Sequence, residues 1–214
     1  MRIGILGTGD VGRALGRGFA ALGHEVRMGA RDANNQKAAA WAAEVGKLAS
    51  SGTFADAAAF GEVVVLATLG VAYESVLRQA GPENLKGKVV VDTTNPLDSS
   101  KGMPPRLAFG GDDSAGERVQ RMLPGAKVVK AWNTVGNAHM WRPEFPGGPP
   151  DMFIAGNDDA AKQKVSALLR DFGWGVVDVG GIEASRLLEA MCLVWVTHGI
   201  KSGSWNHAFK LLGK

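Results

Sequence analysis

The sequence is poor in the residues that build disulfide scaffolds and metal centres. It has one cysteine, Cys192, and four histidines among 214 residues. A single thiol cannot form an internal disulfide, and no two histidines have the HxxH or HxxxH spacing of a helical metal site. We therefore expect a protein of the reducing cytoplasm that holds no metal.

Charge of one sign and long apolar runs are also scarce. The formal net charge is only +3, and Lys and Arg are scattered without a basic run, which argues against nucleic acid as a partner. No apolar run approaches the roughly 18 residues of a membrane-spanning helix. The first predicted strand begins at residue 2, which leaves no room for a signal peptide. We expect a cytoplasmic protein that binds neither membrane nor nucleic acid.

What the sequence does have is a dinucleotide motif in its required context. An apolar strand over residues 2–6 leads into Gly7-Thr8-Gly9-Asp10-Val11-Gly12, a helical stretch over 13–22 that Gly23 ends, and a second strand over 24–29. This order predicts a βαβ unit that binds a dinucleotide. The first glycine makes the tight turn, the second lets the backbone approach a pyrophosphate, and the third lets the helix pack close to the strand.

The end of the second strand indicates which dinucleotide is bound. NAD sites usually carry Asp or Glu there, whereas this chain has Ala30 and Arg31, with Lys37 shortly after. The planar guanidinium of an arginine suits a phosphate group, so we expect NADP(H) rather than NAD. Asp32 is an acidic neighbour that could instead cap the following helix.

The rest of the chain continues the alternation of strands and helices. Residues 63–68 and 88–92 are continuous apolar runs typical of strands covered on both faces, and further strands are expected at 52–54, 127–132, 152–155 and 175–179. This pattern predicts an α/β fold, a Rossmann-type doubly wound parallel sheet with a small C-terminal α/β lobe and a helical tail. We place an NADP-binding domain at 1–146 and the lobe at 151–214, with a linker near 143–150.

Two strand ends are expected to share a crevice with the glycine turn. In open α/β sheets ligands bind outside the carboxyl ends of the strands, which here means residues 68–70 and 95–97. The long segment 98–114 is either a lid or a connector. The peptide bond between Asn95 and Pro96 is a candidate for the cis form, although most such bonds are trans.

The C-terminal helical region, residues 183–212 with an interruption at 199–204, offers a packing stripe. Met191, Val194, Trp195, His198 and Gly199 recur at helical spacing and are expected to face the core or a second subunit. A homodimer through this region is therefore one expectation. Trp195 is expected in the core, whereas for Trp132 the core and a position against a bound ring remain alternatives.

Several segments together resemble a known family. Besides the glycine motif, they are Leu22-Gly23-His24-Glu25-Val26, Ala30-Arg31, Lys130-Ala131-Trp132-Asn133-Thr134 and Ser185-Arg186-Leu187-Leu188-Glu189. Over nearly the whole chain they resemble the NADPH-dependent reductases of the deazaflavin coenzyme F420. The serine-arginine-leucine segment and the interrupted last helix are the most specific parts.

The resemblance implies hydride transfer between NADP(H) and a planar acceptor such as coenzyme F420 or a flavin, in a cleft closed by the C-terminal lobe. It also places the strand end at Asn133 and Asn137 beside the nicotinamide. The residues expected to contact the cofactor are Gly7, Thr8, Gly9, Asp10, Val11, Gly12, Ala30, Arg31, Lys37, Thr68, Leu69, Gly70, Asn95, Pro96, Leu97, Asn133 and Asn137.

No side chain is assigned a catalytic role. The sequence has no G-x-S-x-G elbow and no His–Asp pair that matches the hydroxy-acid dehydrogenases. Hydride transfer between two rings fits this, because it depends mainly on holding the reacting carbons about 3–3.5 Å apart. Two alternatives stay open, a non-catalytic NADP-binding sensor and a reductase of a small imine or carbonyl substrate.

Overall fold

The centre of the computed structural model, which describes residues 1–213, is one eight-stranded sheet. Its strand order is β10-β9-β8-β5-β4-β1-β2-β3, and all neighbours are parallel except the antiparallel pair β8 and β9. A separate hairpin pairs β6 with β7. The strands are β1 (Arg2–Leu6), β2 (Glu25–Ala30), β3 (Ala49–Thr53), β4 (Val63–Leu66), β5 (Val89–Asp92), β6 (Leu97–Asp98), β7 (Arg106–Leu107), β8 (Lys127–Lys130), β9 (Asp151–Gly156) and β10 (Gly175–Asp178).

Helices cover both faces of this sheet. They are α1 (Asp10–Ala21), α2 (Gln36–Val45), α3 (Phe54–Phe60), α4 (Tyr73–Ala80), α5 (Pro82–Leu85), α6 (Ala115–Met122), α7 (Asp159–Asp171) and α8 (Ser185–Ser202). Single 3-10 turns lie at Asn137–His139 and Ile182–Ala184. The predicted doubly wound α/β fold is confirmed.

The strand β4 shows why a continuous apolar run suits this position. Val63 and Val65 belong to a core shared with α1, α2 and α7, whereas Val64 and Leu66 belong to a core shared with α3, α4 and α6. Successive side chains of a strand point to opposite faces, so a strand covered twice needs apolar residues at every position. All four residues are fully buried.

The C-terminal strands extend the same sheet. The chain turns after β8, and β9 returns antiparallel, with Val129 opposite Gly156. The strand β10 then pairs parallel to β9 and completes that edge. The division into an NADP-binding domain over 1–146 and a lobe over 151–214 stays a prediction.

The predicted helical tail is only partly correct. The helix α8 ends at Ser202, and Gly203, with a φ of +67°, stops it in the left-handed conformation that favours glycine. Residues 203–213 then form no regular element. Hydrogen bonds to distant residues replace those of the expected second helix. Trp195 Nε1 donates to the carbonyl of His207 at 2.9 Å, and the N–H of Asp151 donates to the carbonyl of Phe209 at 2.9 Å.

The predicted packing stripe of the last helix also splits. Trp195 and Gly199 are buried together with Cys192, whereas Val194 and His198 are exposed. Met191, which lies between these two groups, is half-buried. The core therefore takes one side of α8 and leaves the other to solvent.

Three local expectations are resolved by the backbone. The cap of α2 is Asn35, whose Oδ1 accepts from the N–H of Ala38 at 3.0 Å, while Asp32 accepts from Asn34 instead. The bond between Asn95 and Pro96 is trans. The predicted loop 98–114 begins with the β6–β7 hairpin rather than being irregular throughout.

Candidate functional site

A cleft of about 810 Å³ opens at the carboxyl ends of β1, β4 and β5. Eleven of the predicted contact residues line it, which are Gly7, Thr8, Gly9, Asp10, Val11, Thr68, Leu69, Gly70, Asn95, Leu97 and Asn137. Six lining residues were not predicted, namely Phe54, Ala67, Val71, Thr93, Thr94 and Ser99. The three separate strand ends named in the sequence analysis therefore meet in one place. Their role in cofactor binding stays a prediction.

The glycine turn has the geometry of a phosphate cradle. Gly7 has a φ of +139°, and a Cβ there would lie 2.0 Å from the carbonyl oxygen of Ala67. A Cβ on Gly12 would lie 2.5 Å from the carbonyl oxygen of Gly7, so this glycine lets α1 start directly above the turn. Gly9 differs, because a Cβ there would meet no atom within 4 Å. Its missing side chain leaves open space at the turn, and Gly9 lines the cleft.

The first turn of α1 presents unpaired N–H groups to that open space. Gly9 is the N-cap and no side chain caps the helix. The first N–H groups of a helix have no partner within it and form the positive end of its dipole. Such an uncapped start beside a cleft suits an anion such as a pyrophosphate.

The end of β2 carries positive charge. Ala30 is buried, whereas Arg31 and Lys37 are exposed. Neither cation forms an ion pair with any residue in the described range 1–213. None of these three residues lines the cleft itself. They follow the strand next to β1, where an adenosine with a 2′-phosphate would extend from the turn.

A buried ionic cluster lies under the β5 side of the cleft. The Nζ of Lys130 is 2.9 Å from Asp92 Oδ2 and 2.8 Å from Glu189 Oε1, and all three side chains are at most 1% exposed. Burial by itself lowers the pKa of Lys130, but the charges of Asp92 and Glu189 outweigh it and raise that pKa above its ordinary value. The cluster ties β5 and β8 to α8.

The same cluster explains the segment 185–189 that carried the family resemblance. The two Glu189 carboxylate oxygens accept from the N–H groups of Ala115 and Gly116, both at 3.1 Å, and so cap the N-terminus of α6. One turn earlier, Arg186 Nε donates to Glu117 at 2.8 Å. The segment is therefore an anchor for α8. Nothing adjacent in the sequence indicates this role, since the partners in these bonds are 69 to 74 residues away.

The predicted contact residue Asn133 lies behind the cleft wall. It is 2% exposed, and its Nδ2 donates to Asn95 Oδ1 at 3.0 Å and to the carbonyl of Leu188 at 2.9 Å. In return, Asn95 Nδ2 donates to the carbonyl of Asn133 at 2.8 Å. The structure thus places Asn133 as a support for Asn95, which lines the cleft. Pro96 and Gly12 likewise lie outside the lining residues.

The alternatives for Trp132 and Trp195 are decided by packing. Trp132 is 1% exposed and packs edge to face on Phe172 at 5.2 Å. Its φ of +54° is rare for an aromatic residue and turns the chain after β8, just before Asn133. Trp195 is buried at 8% exposure against Trp205 and His207. Both indoles belong to the core.

The cleft offers positioning groups rather than an acid–base pair. No histidine lines it, and its carboxylate is the exposed Asp10. The only cysteine of the sequence lies in α8, where burial raises the pKa of the Cys192 thiol to about 12. Within residues 1–213, no three His, Cys, Asp or Glu side chains come together as a metal site. No helix of this part of the chain is long and apolar enough to cross a bilayer.

Comparisons with known proteins agree with this geometry. A family model described as NADP oxidoreductase, coenzyme F420-dependent, matches residues 2–96. The F420-dependent NADP reductase of Methanocaldococcus jannaschii is 35% identical over 94% of this chain and 93% of its own length. A crystal structure from Arthrobacter sp. FB24 superposes with a TM-score of 0.94 at 42% identity and covers both chains completely. An imine reductase from Aspergillus terreus, at 20% identity and a TM-score of 0.68, covers 94% of this chain and 63% of its own, and shows the fold alone. The chain belongs to the family of F420-dependent NADP reductases.

Proposed function

We propose that this protein transfers a hydride between NADP(H) and coenzyme F420. The observation that carries the proposal is the glycine cradle, where Gly9 leaves a space that any Cβ would fill, directly at the uncapped start of α1. The cradle opens into the same cleft as the ends of β4 and β5. A pyrophosphate fits the cradle, and the hydride-donating or hydride-accepting ring fits the cleft at the strand ends.

One group of residues would bind the phosphates of the cofactor, and another would surround its nicotinamide ring. The turn at residues 7–12 would hold the pyrophosphate, and the unpaired cations of Arg31 and Lys37 would hold the 2′-phosphate. Bound NADPH supplies the hydride. The ends of β4 and β5, with Asn137, would then enclose the reacting ring.

The acceptor side of the cleft is apolar. Leu69 is 76% exposed and Val71 is 63% exposed, and both line the cleft together with the half-buried Leu97. Exposed apolar side chains inside a cleft are typical of a surface that a ligand covers. A flat ring system would cover them, exclude water and lie against the nicotinamide, and no proton donor is required in the wall.

The proposal is tested by following NADPH oxidation by the purified protein with coenzyme F420, FMN, FAD and a quinone in parallel. Turnover with F420 is the expected result. Tight NADPH binding without turnover with any acceptor would contradict the proposal and would favour the non-catalytic sensor. If a small imine or carbonyl compound is added to this series, turnover with it and not with F420 would favour the reductase of a small imine or carbonyl substrate.

We further propose a homodimer formed through α8 and a cytoplasmic location. The outer side of α8 exposes 65% of Leu187 and 60% of Val194, with the half-buried Met191 between them. A row of exposed apolar residues on one helix suits a self-complementary interface. Sedimentation of the wild type and of a Leu187→Glu, Val194→Glu variant tests it, and a wild type that sediments as a monomer would contradict it.

A further inference from the structure

Two adjacent threonines follow β5, and their hydroxyl groups have different environments. Thr93 Oγ1 donates to the carbonyl of Leu66 at 3.0 Å, which joins the ends of β4 and β5. Thr94 Oγ1 is buried and has no hydrogen-bond partner among residues 1–213. Thr94 as a whole is 2% exposed and lines the cleft.

Every other polar group of Thr94 is in use. Its N–H donates to Asp92 Oδ1 at 2.9 Å, and its carbonyl accepts from Lys130 Nζ at 2.6 Å. Lys130 is in turn held by Asp92 and Glu189 in the buried ionic cluster. The backbone of Thr94 is thus clamped on both sides, and its hydroxyl alone is left without a partner.

An unpartnered hydroxyl is unfavourable at a buried position. Taking it out of water without a compensating bond destabilises the fold. Valine has nearly the same shape and would occupy this place without that penalty. The described residues 1–213 offer this hydroxyl no hydrogen bond, and a ligand that pairs with it would recover the missing one.

We propose that Thr94 Oγ1 forms a hydrogen bond with a carbonyl or amide group carried by a ring that binds in the cleft. A threonine hydroxyl both donates and accepts, so it can pair with either group. Two sources offer this chemistry, the carboxamide of a nicotinamide and the ring carbonyls of a deazaflavin acceptor. The inference rests on the proposed function and assigns it a binding residue that the sequence analysis did not identify.

The test compares Thr94→Val with Thr94→Ser and Thr93→Val. For each protein, dissociation constants are measured for NADPH and for adenosine 2′,5′-bisphosphate, which carries the 2′-phosphate but no nicotinamide, and the KM for F420 is measured at saturating NADPH. Loss of one neutral hydrogen bond weakens binding about 3- to 10-fold. We expect Thr94→Val to show this loss without a lower melting temperature, and Thr94→Ser to stay within about twofold of the wild type because the hydroxyl remains.

The readouts distinguish the two sources. Weaker NADPH binding with unchanged bisphosphate binding identifies the nicotinamide, and a higher KM for F420 with unchanged NADPH binding identifies the acceptor. Thr93→Val removes a hydroxyl that is already paired, so it should lower the melting temperature more than Thr94→Val and weaken ligand binding less.

Three results would overturn the assignment. They are an unchanged affinity for both NADPH and F420 in Thr94→Val, an equal loss of bisphosphate affinity, and an equal loss of ligand binding in Thr93→Val. These results differ from a failure of the proposed function itself. In that case the wild-type protein would bind no NADPH or would transfer no hydride to F420.

Discussion

The substitution Gly9→Ala tests the cradle most directly. In the free protein the added methyl group meets no atom within 4 Å, and the φ of −75° at this position suits alanine. Lower flexibility of the unfolded chain stabilises the variant by about 0.4–1 kcal/mol, while alanine is a poorer N-cap than glycine by a similar amount. The two effects oppose each other, so the free energy of unfolding should change by less than about 1 kcal/mol.

Cofactor binding should respond much more strongly to the same change. The methyl group would stand where a pyrophosphate approaches the backbone, and a hydrogen bond to a charged group contributes about 1.5–3 kcal/mol. Losing one such bond weakens binding by about 10- to 150-fold. Because NADPH and NADH share the pyrophosphate, calorimetric titration should show the same factor for both.

Two further glycines serve as controls for this experiment. Gly147→Ala also adds a methyl group that meets no atom within 4 Å, but Gly147 lies outside the cleft. Affinity should therefore stay at the wild-type value, while the free energy of unfolding should rise by at most about 1 kcal/mol. Gly7→Ala places its Cβ 2.0 Å from a backbone oxygen at a φ of +139° and should destabilise the fold itself. Wild-type affinity for NADPH in Gly9→Ala would refute the cradle.

The remaining five predictions concern four side chains, those of Arg31, Lys130, Cys192 and Asp98. Arg31→Ala should weaken NADPH binding far more than NADH binding, because only NADPH carries the 2′-phosphate. An equal loss of affinity for both cofactors in binding titrations would contradict the assignment of Arg31 to that phosphate. Lys130→Met leaves two buried carboxylates without their cation and should lower the free energy of unfolding by about 3–5 kcal/mol. The control Lys127→Met breaks a partly exposed pair with Asp158 and should change that free energy by less than about 1 kcal/mol. Equal denaturant midpoints for the two variants would contradict this prediction. Since the pKa of Lys130 is raised in the fold, its contribution is complete below the unfolded value of 10.5 and is lost as the pH rises through the folded value, which alkaline unfolding measures. Cys192, with a pKa raised by burial to about 12, should resist thiol reagents in the native protein and react fully in denaturant; rapid native labelling would show that α8 opens. Hydrogen bonds from Ser100 and then from Arg106 lower the pKa of Asp98 to about 2. NMR titration of the Asp98 carboxyl should therefore find a midpoint at about 2. A midpoint near the ordinary value of 3.8 would show that the β6–β7 hairpin is not closed.

The elements that the sequence predicted correctly are those with a local cause. The apolar run of β4 and the glycine turn depend on neighbouring residues, because burial on both faces and a positive φ are conditions that a few positions satisfy together. Ligands bind at the carboxyl ends of parallel strands, which predicted that residues 68–70 and 95–97 lie at the same edge of the sheet as the glycine turn. The cleft contains residues from all three segments. The predicted core position of Trp195 is also confirmed, at 8% exposure.

The prediction of a second helix in the tail was wrong because of distant contacts. The tail after Gly203 was expected to be helical, but its backbone bonds to Trp195 and Asp151 instead. The cofactor contact of Asn133 stays a prediction, while the turn at Trp132 directs its side chain to Asn95 and Leu188. Gly203 marks the end of α8 in the sequence, but nothing adjacent to the tail or to Asn133 indicates these distant partners.

The sequence by itself determined the βαβ unit, the doubly wound α/β fold class and the family, since each follows from local sequence patterns. Only the tertiary structure decided which polar residues are paired. Lys130, Asp92 and Glu189 are far apart in the chain and read as ordinary surface charges, yet the sheet and α8 bring them together without water. The same packing leaves Thr94 with an unpaired hydroxyl and Thr93 with a satisfied one. Hydrogen-bond pairing at a buried site depends on three-dimensional neighbours, and residue type alone does not specify them.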